Sequence, residues 1–160
     1  MPASPSASVF INCPFDKEYQ PLFDAIAFCV SACGFVPRCT LELTDAGEVR
    51  IENIYRLIAQ CNHGIHDVSR TEVKGQPYQL PRFNMPLELG IFLGAKRFGA
   101  HSSQKRCLIM DRAPYRYKRF SPTSEVRISK RTTEVRPRQS DVCAIGCNLH
   151  PAKQRFLAVP

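Results

Sequence analysis

The apolar positions of this chain fall into short continuous runs and longer helical stripes that follow one another in regular order. Ser8-Val9-Phe10-Ile11-Asn12 is a compact apolar run closed by Cys13-Pro14, the signature of a buried first strand. Asp16 is placed to cap a following helix, with Glu18 favourable in its first turn. Leu22, Phe23, Ile26, Ala27 and Val30 then recur at helical spacing up to a stop at Gly34. Phe35 to Leu41 predicts a second strand, which its internal Pro37 confines to a sheet edge. After the loop Thr44-Asp45-Ala46-Gly47, a second helix is expected from about Glu48 to Cys61, with Ile51, Ile54, Tyr55, Leu57 and Ile58 on its apolar face. Asn62-His63-Gly64 breaks it. Ile65-His66-Asp67-Val68-Ser69 predicts a third strand, and a polar loop from Arg70 to Phe83 leads to a third helix. Arg106 to Asp111 is a fourth strand, apolar on consecutive positions and so expected to be covered on both faces. The order β-α-β-α-β-α-β predicts an α/β fold, an open parallel sheet with helices on both faces.

The third helix holds the chain's most unusual charge. In Asn84-Met85-Pro86-Leu87-Glu88-Leu89-Gly90-Ile91-Phe92-Leu93-Gly94-Ala95, the one charged residue is Glu88. A helix apolar on every side is expected to be buried on every side, and Pro86 suits its first turn. A carboxylate there needs a partner or a task.

Composition narrows the class. The chain has 160 residues, 44% hydrophobic and 22% charged, enough for one domain with a sizeable core. No apolar run is long enough to span a bilayer, so no membrane partner is expected. Met1 to Ser8 lacks a basic n-region, so residues 1–7 are expected to be a disordered lead and the protein cytoplasmic. Cys13, Cys29, Cys33, Cys61 and Cys107 sit in apolar segments, as reduced core thiols do. The net charge of +8 is uneven: 15 Lys and Arg stand against 11 Asp and Glu up to Phe120, and 7 against 3 beyond it. Residues 8–120 are therefore the expected domain. Residues 121–160 are a basic tail, expected to be poorly structured or to add an atypical last strand, with Val142 to Ile145 its strand-like run.

In open α/β sheets ligands bind beyond the C-terminal ends of the strands, where the strand order reverses. That rule selects Asn12 to Phe15, Asp67 to Arg70 and the start of the third helix. It assembles Asn12, Asp67, Ser69, Asn84 and Glu88 as polar groups at one rim. Each also has a plainer use: Asn12 in a turn, Asp67 capping the next segment or paired with Arg70, Glu88 answering the helix dipole. Asn12-Cys13-Pro14-Phe15 stands where a glycine-rich phosphate loop would be, which argues against Rossmann-type dinucleotide binding.

Val9-Phe10-Ile11-Asn12-Cys13-Pro14-Phe15-Asp16 resembles the first strand and Pro-Phe loop of the nucleoside 2-deoxyribosyltransferase-like proteins. Ile65 to Ser69 is similar to their intervening strand and Asp, and Asn84 to Gly90 to their Glu-Leu-Gly helix start. TIR domains that cleave NAD share the flavodoxin-like architecture and the helix glutamate. The resemblance spans about residues 8–120 and implies that Glu88 is the catalytic carboxylate, attacking the sugar C1′ or stabilising its developing positive charge. It further implies that Asp67 holds the base or the sugar hydroxyls. Asn12, Pro14, Phe15, Ser69, Asn84 and Met85 would line the substrate pocket, Phe15 offering a stacking face. No cofactor is implied; NAD enters as a substrate, and a homo-oligomer would complete such a site. Where transferases of the family carry a Gly-Thr pair and an Asp, this chain has Arg82-Phe83-Asn84-Met85-Pro86, so deoxyribosyl transfer itself is not implied.

Two other patterns carry less. Cys143, Cys147 and His150 lack a tight Cys-x2-Cys pair and a fourth ligand, so no metal is expected. Arg112, Arg116, Lys118 and Arg119, interleaved with Tyr115 and Tyr117, form a basic-aromatic segment of the kind that contacts single-stranded nucleic acid. A solvated face after the last strand is the favoured reading of it, and a nucleotide-sensing module without turnover is the main alternative to an enzyme.

Overall fold

The computed structural model describes residues 4–42, 50–71, 83–99, 104–113, 116 and 128–131. Its elements are β1 (Ser8–Asn12), α1 (Gln20–Ala32), β2 (Val36–Arg38), α2 (Arg50–Gln60), β3 (His63–Asp67), α3 (Asn84–Phe98), β4 (Arg106–Asp111) and β5 (Ile128–Arg131). Short 3-10 turns occupy Pro5–Ala7 and Thr40–Glu42. The five strands form one sheet in the order β2-β1-β3-β4-β5, and every neighbouring pair is parallel. This is an open α/β fold of flavodoxin-like order, whose strand sequence reverses between β1 and β3.

The two faces of the sheet are divided cleanly by strand parity. Val9 and Ile11 of β1 and Cys13 just past it, with Ile65, Leu108 and Met110, pack against Tyr19, Ile26 and Val30 on the α1 side. Phe10 faces the other way, where Ile54, Leu57 and Ile58 of α2 and Phe92 of α3 cover it. Leu89 joins Val68 and Ile109 nearer the edge. All five residues of β1 and of β3 are buried, as expected for inner strands covered on both faces. Gly34, at φ 82°, turns the chain out of α1 in the left-handed region that a side chain would resist. The buried Lys105 closes the end of α2: its Nζ donates to Ile58 O (2.6 Å) and Cys61 O (2.7 Å) and lies 5.0 Å from the centre of the Phe92 ring. Among the described residues no helix is long and apolar enough to cross a membrane.

Several expectations shift. The third strand begins at His63 rather than Ile65, because His63 and Gly64 already pair with Val9 and Phe10 of β1. It ends at Asp67, so Val68 and Ser69 lie past the strand. The third helix runs on to Phe98 and is not buried all round. Met85, Glu88, Leu89 and Phe92 face inward, while Leu87 and Phe98 are exposed. One face suffices to cover the sheet, and the other is left to solvent. Part of the expected lead is structured: Pro5–Ala7 form a turn whose Pro5 O accepts the Asn62 N–H at 2.9 Å. In the tail, Ile128–Arg131 pair with β4, whereas Val142–Ile145 lie outside the described residues. Cys13, Cys29, Cys39 and Cys61 are buried, Cys33 and Cys107 partly so, and all six are free thiols.

Candidate functional site

The C-terminal ends of β1 and β3 lie side by side, with Asn12 opposite His66 in the parallel register. Side chains diverge from this edge onto both faces of the sheet, and the two candidate carboxyls fall on different sides.

On the α1 side, Asp67 is fully buried and fully answered. Its Oδ2 accepts a short hydrogen bond from the Tyr19 hydroxyl (2.5 Å), and its Oδ1 accepts from the Ser69 backbone N–H (2.7 Å). Burial raises the Asp67 carboxyl above its ordinary value, while the Ser69 and Tyr19 hydrogen bonds pull it back down. Tyr19 reaches this position because the Asp16–Tyr19 turn closes on Asp16, whose Oδ1 accepts the Tyr19 N–H at 3.0 Å. Arg70 does not pair with Asp67. Its Nη1 binds Asp16 (2.9 Å) and Glu18 (3.2 Å), and its guanidinium lies 5.6 Å from the Tyr19 ring centre. Beside this group sits the Cys13 thiol, pushed well up by burial and further by the fields of Asp67, Cys39 and Glu88. Such a shift favours the protonated thiol over the nucleophilic thiolate.

On the α3 side, Glu88 is only 4% exposed. Among the described residues no hydrogen bond or ion pair reaches its carboxyl. Desolvation lifts its pKa to about 7, opposed by the field of Arg50 at the start of α2. A carboxyl held there divides between its two protonation states near neutrality, which suits either proton transfer or charge stabilisation.

Asn12, backed by His66, holds the turn that carries it. The Asn12 side-chain amide donates to Met85 O (2.9 Å) in the first turn of α3 and to His66 Nδ1 (3.0 Å). An Nδ1 that accepts places the His66 proton on Nε2, which has no partner. Burial lowers the His66 pKa to about 3, so the ring is neutral.

The remaining expected residues divide. Met85 is buried and contributes its carbonyl; Ser69 is buried and donates its backbone N–H to Asp67; Pro14 is buried. Phe15 is half-buried and packs edge-on to Phe23, with ring centres 5.5 Å apart. Asn84 is exposed at the first position of α3. Cys143, Cys147 and His150 lie outside the described residues.

Three groups were not legible as site residues. Tyr19 sits in a capping turn, and His66 lies inside a strand with no spacing to mark it. Arg116 belongs to the basic-aromatic segment, but its side chain is spent on the protein. It binds Asp111 Oδ1 (2.8 Å) and Val68 O (2.6 Å), clasping the ends of β3 and β4. The fully buried Asp111 keeps its Oδ2 unpartnered. Tyr115, Tyr117, Lys118 and Arg119 of the same segment lie outside the described residues.

Fold and site define the class: an open α/β domain with buried carboxyls at its C-terminal sheet edge, of which Glu88 has no hydrogen-bond or ion-pair partner among the described residues. Comparisons with protein-family models, curated proteins and solved structures returned no match for this chain.

Proposed function

We propose that this chain acts on the N-glycosidic bond of a nucleoside or nucleotide, by hydrolysis or by transfer, with Glu88 as the working carboxylate. The observation that carries the reading is Glu88 itself: buried, without a partner among the described residues, raised to about 7, and beside the β1–β3 reversal. Cleavage breaks the bond between C1′ and the base nitrogen, and the bonding electrons leave with the base. The sugar passes through an oxocarbenium-like state that an ionised carboxylate stabilises. Water, or an acceptor base in transfer, then bonds to C1′. NAD is one candidate substrate, its nicotinamide leaving as a neutral base. The resemblance of the Asn12 loop and the Glu88 helix to the deoxyribosyltransferase-like and TIR-like families supports the same assignment.

A second reading, nucleotide sensing without turnover, is favoured by Asp67. Glycosidases of the usual kind use two carboxyl groups, and here the second already holds Tyr19 and Ser69. The chain and its Glu88→Gln variant, incubated with NAD and a panel of nucleosides, separate the two by chromatography of free base. Release by the chain and not by the variant supports the enzyme. Binding without release selects the sensor. Self-association belongs to either reading, supported by the exposed Leu87 and Phe98 of α3, and sedimentation across concentrations tests it.

A further inference from the structure

Among the described residues, His66 is a fully buried polar group to which the proposed chemistry gives no task. It is fully buried between two aromatic rings, its centre 5.8 Å from that of Phe10 and 5.0 Å from that of Phe92. Such a position would ordinarily hold a hydrophobe, because a buried ring nitrogen left without a partner costs stability. Even the space for it is specially cleared. A Cβ on Gly64 would lie 2.7 Å from His66 Nε2 and 2.9 Å from the Phe92 ring, so the strand is bare where the imidazole lies.

Its contacts lead to α3 at two heights. Through Asn12 it is joined to the carbonyl of Met85, and through its ring it touches Phe92. Met85, Glu88 and Phe92 are buried on one face of that helix, so the two anchor points lie one on each side of Glu88. Asn12 has two amide hydrogens, and both are used. The acceptor at His66 Nδ1 directs one, which leaves the other aimed at Met85 O.

The geometry points to His66 as a positioning residue: through Asn12 and Phe92 its imidazole fastens the first turns of α3 to the sheet edge and thereby sets where Glu88 is held. It touches no reacting atom. The assignment rests on Glu88 being the functional group of this site. The charged and titratable neighbours coupled to Glu88 are Arg50 from α2 and the Cys13 thiol just past β1; burial alone acts on His66.

Solution NMR of the full chain tests this without substrate. In the unaltered protein a coupling across the hydrogen bond between Asn12 Nδ2 and His66 Nδ1 is expected. The ring should carry its proton on Nε2 and not titrate between about pH 4 and 8. The Glu88 carboxyl carbon reports its own midpoint. In His66→Phe, which keeps a ring but offers Asn12 no acceptor, that midpoint should fall by about one unit as water reaches a loosened first turn. His66→Gln, whose amide oxygen can accept from Asn12, should restore it. A proton found on Nδ1, an imidazole titrating near its free value, or a folded His66→Phe chain with an unmoved Glu88 midpoint overturns the assignment. Should His66→Phe not fold, the coupling and tautomer in the unaltered chain, with the His66→Gln midpoint, decide it. A chain that releases no base yet shows the coupled, non-titrating imidazole sinks the glycosidic reading alone.

Discussion

Asp67 and Glu88 are both buried carboxyls at the C-terminal edge of one sheet, yet their surroundings differ in kind. Asp67, on the α1 side, is met by a phenol on one oxygen and a backbone amide on the other. Glu88, on the α3 side, has no hydrogen-bond or ion-pair partner among the described residues and feels the field of Arg50. Burial raises both, but only for Asp67 do hydrogen bonds work against it. A carboxyl so fully engaged is suited to holding a loop in shape. One left unengaged keeps its protonation state open to a ligand, at a cost to the fold.

The sharpest way to break this comparison is by activity. Glu88→Gln should lower base release by about 10²- to 10⁴-fold with the fold intact, measured as initial rates on whichever substrate the chain cleaves. Equal losses from Asp67→Asn and Glu88→Gln would remove the distinction between the two. Stability should sort them the other way. Asp67→Ala leaves the Tyr19 hydroxyl and the Ser69 N–H unanswered and should cost about 4 kcal/mol, read from the urea midpoint.

Glu88→Gln should instead stabilise, and the sign follows from linkage. A carboxyl whose pKa rises from 4.5 to about 7 on folding binds its proton more tightly in the folded chain. Stability therefore falls as pH rises through that window, and the loss is complete above it. The variant lacks this loss. It should gain up to about 3 kcal/mol at pH 8 and nothing near pH 4.5, so urea curves at the two pH values check the difference. The smallest effect belongs to Tyr19→Phe, which should cost about 2 kcal/mol and raise the Asp67 carboxyl further, visible in its carbon chemical shift.

The fold was largely readable because its inner strands are short apolar runs and its helices carry stripes. The edge position of β2 followed from Pro37, and the reversal between β1 and β3 is that of the flavodoxin-like architecture named with the family resemblance. The start of β3 was not readable, since His63 and Gly64 look like a helix terminator and become strand only through pairing with β1. A last strand in the tail was allowed for, but the position of β5 was not readable for a similar reason: Ile128–Arg131 has no apolar run, and its place depends on β4. At the site, Glu88 announced itself as a charge among apolar neighbours. Nothing local marks Tyr19, His66 or Arg116, whose roles arise from partners 48, 54 and 48 residues away.

The outer strand β2 bears on how this sheet meets its surroundings. It is three residues long, and the middle one, Pro37, has no amide hydrogen. An incoming strand, whether from a misfolded copy or from a peptide, would find at most two N–H groups to bond along that border. The protein thus carries on its β2 side a built-in deterrent to sheet extension, made from the same residue that marked the strand as peripheral.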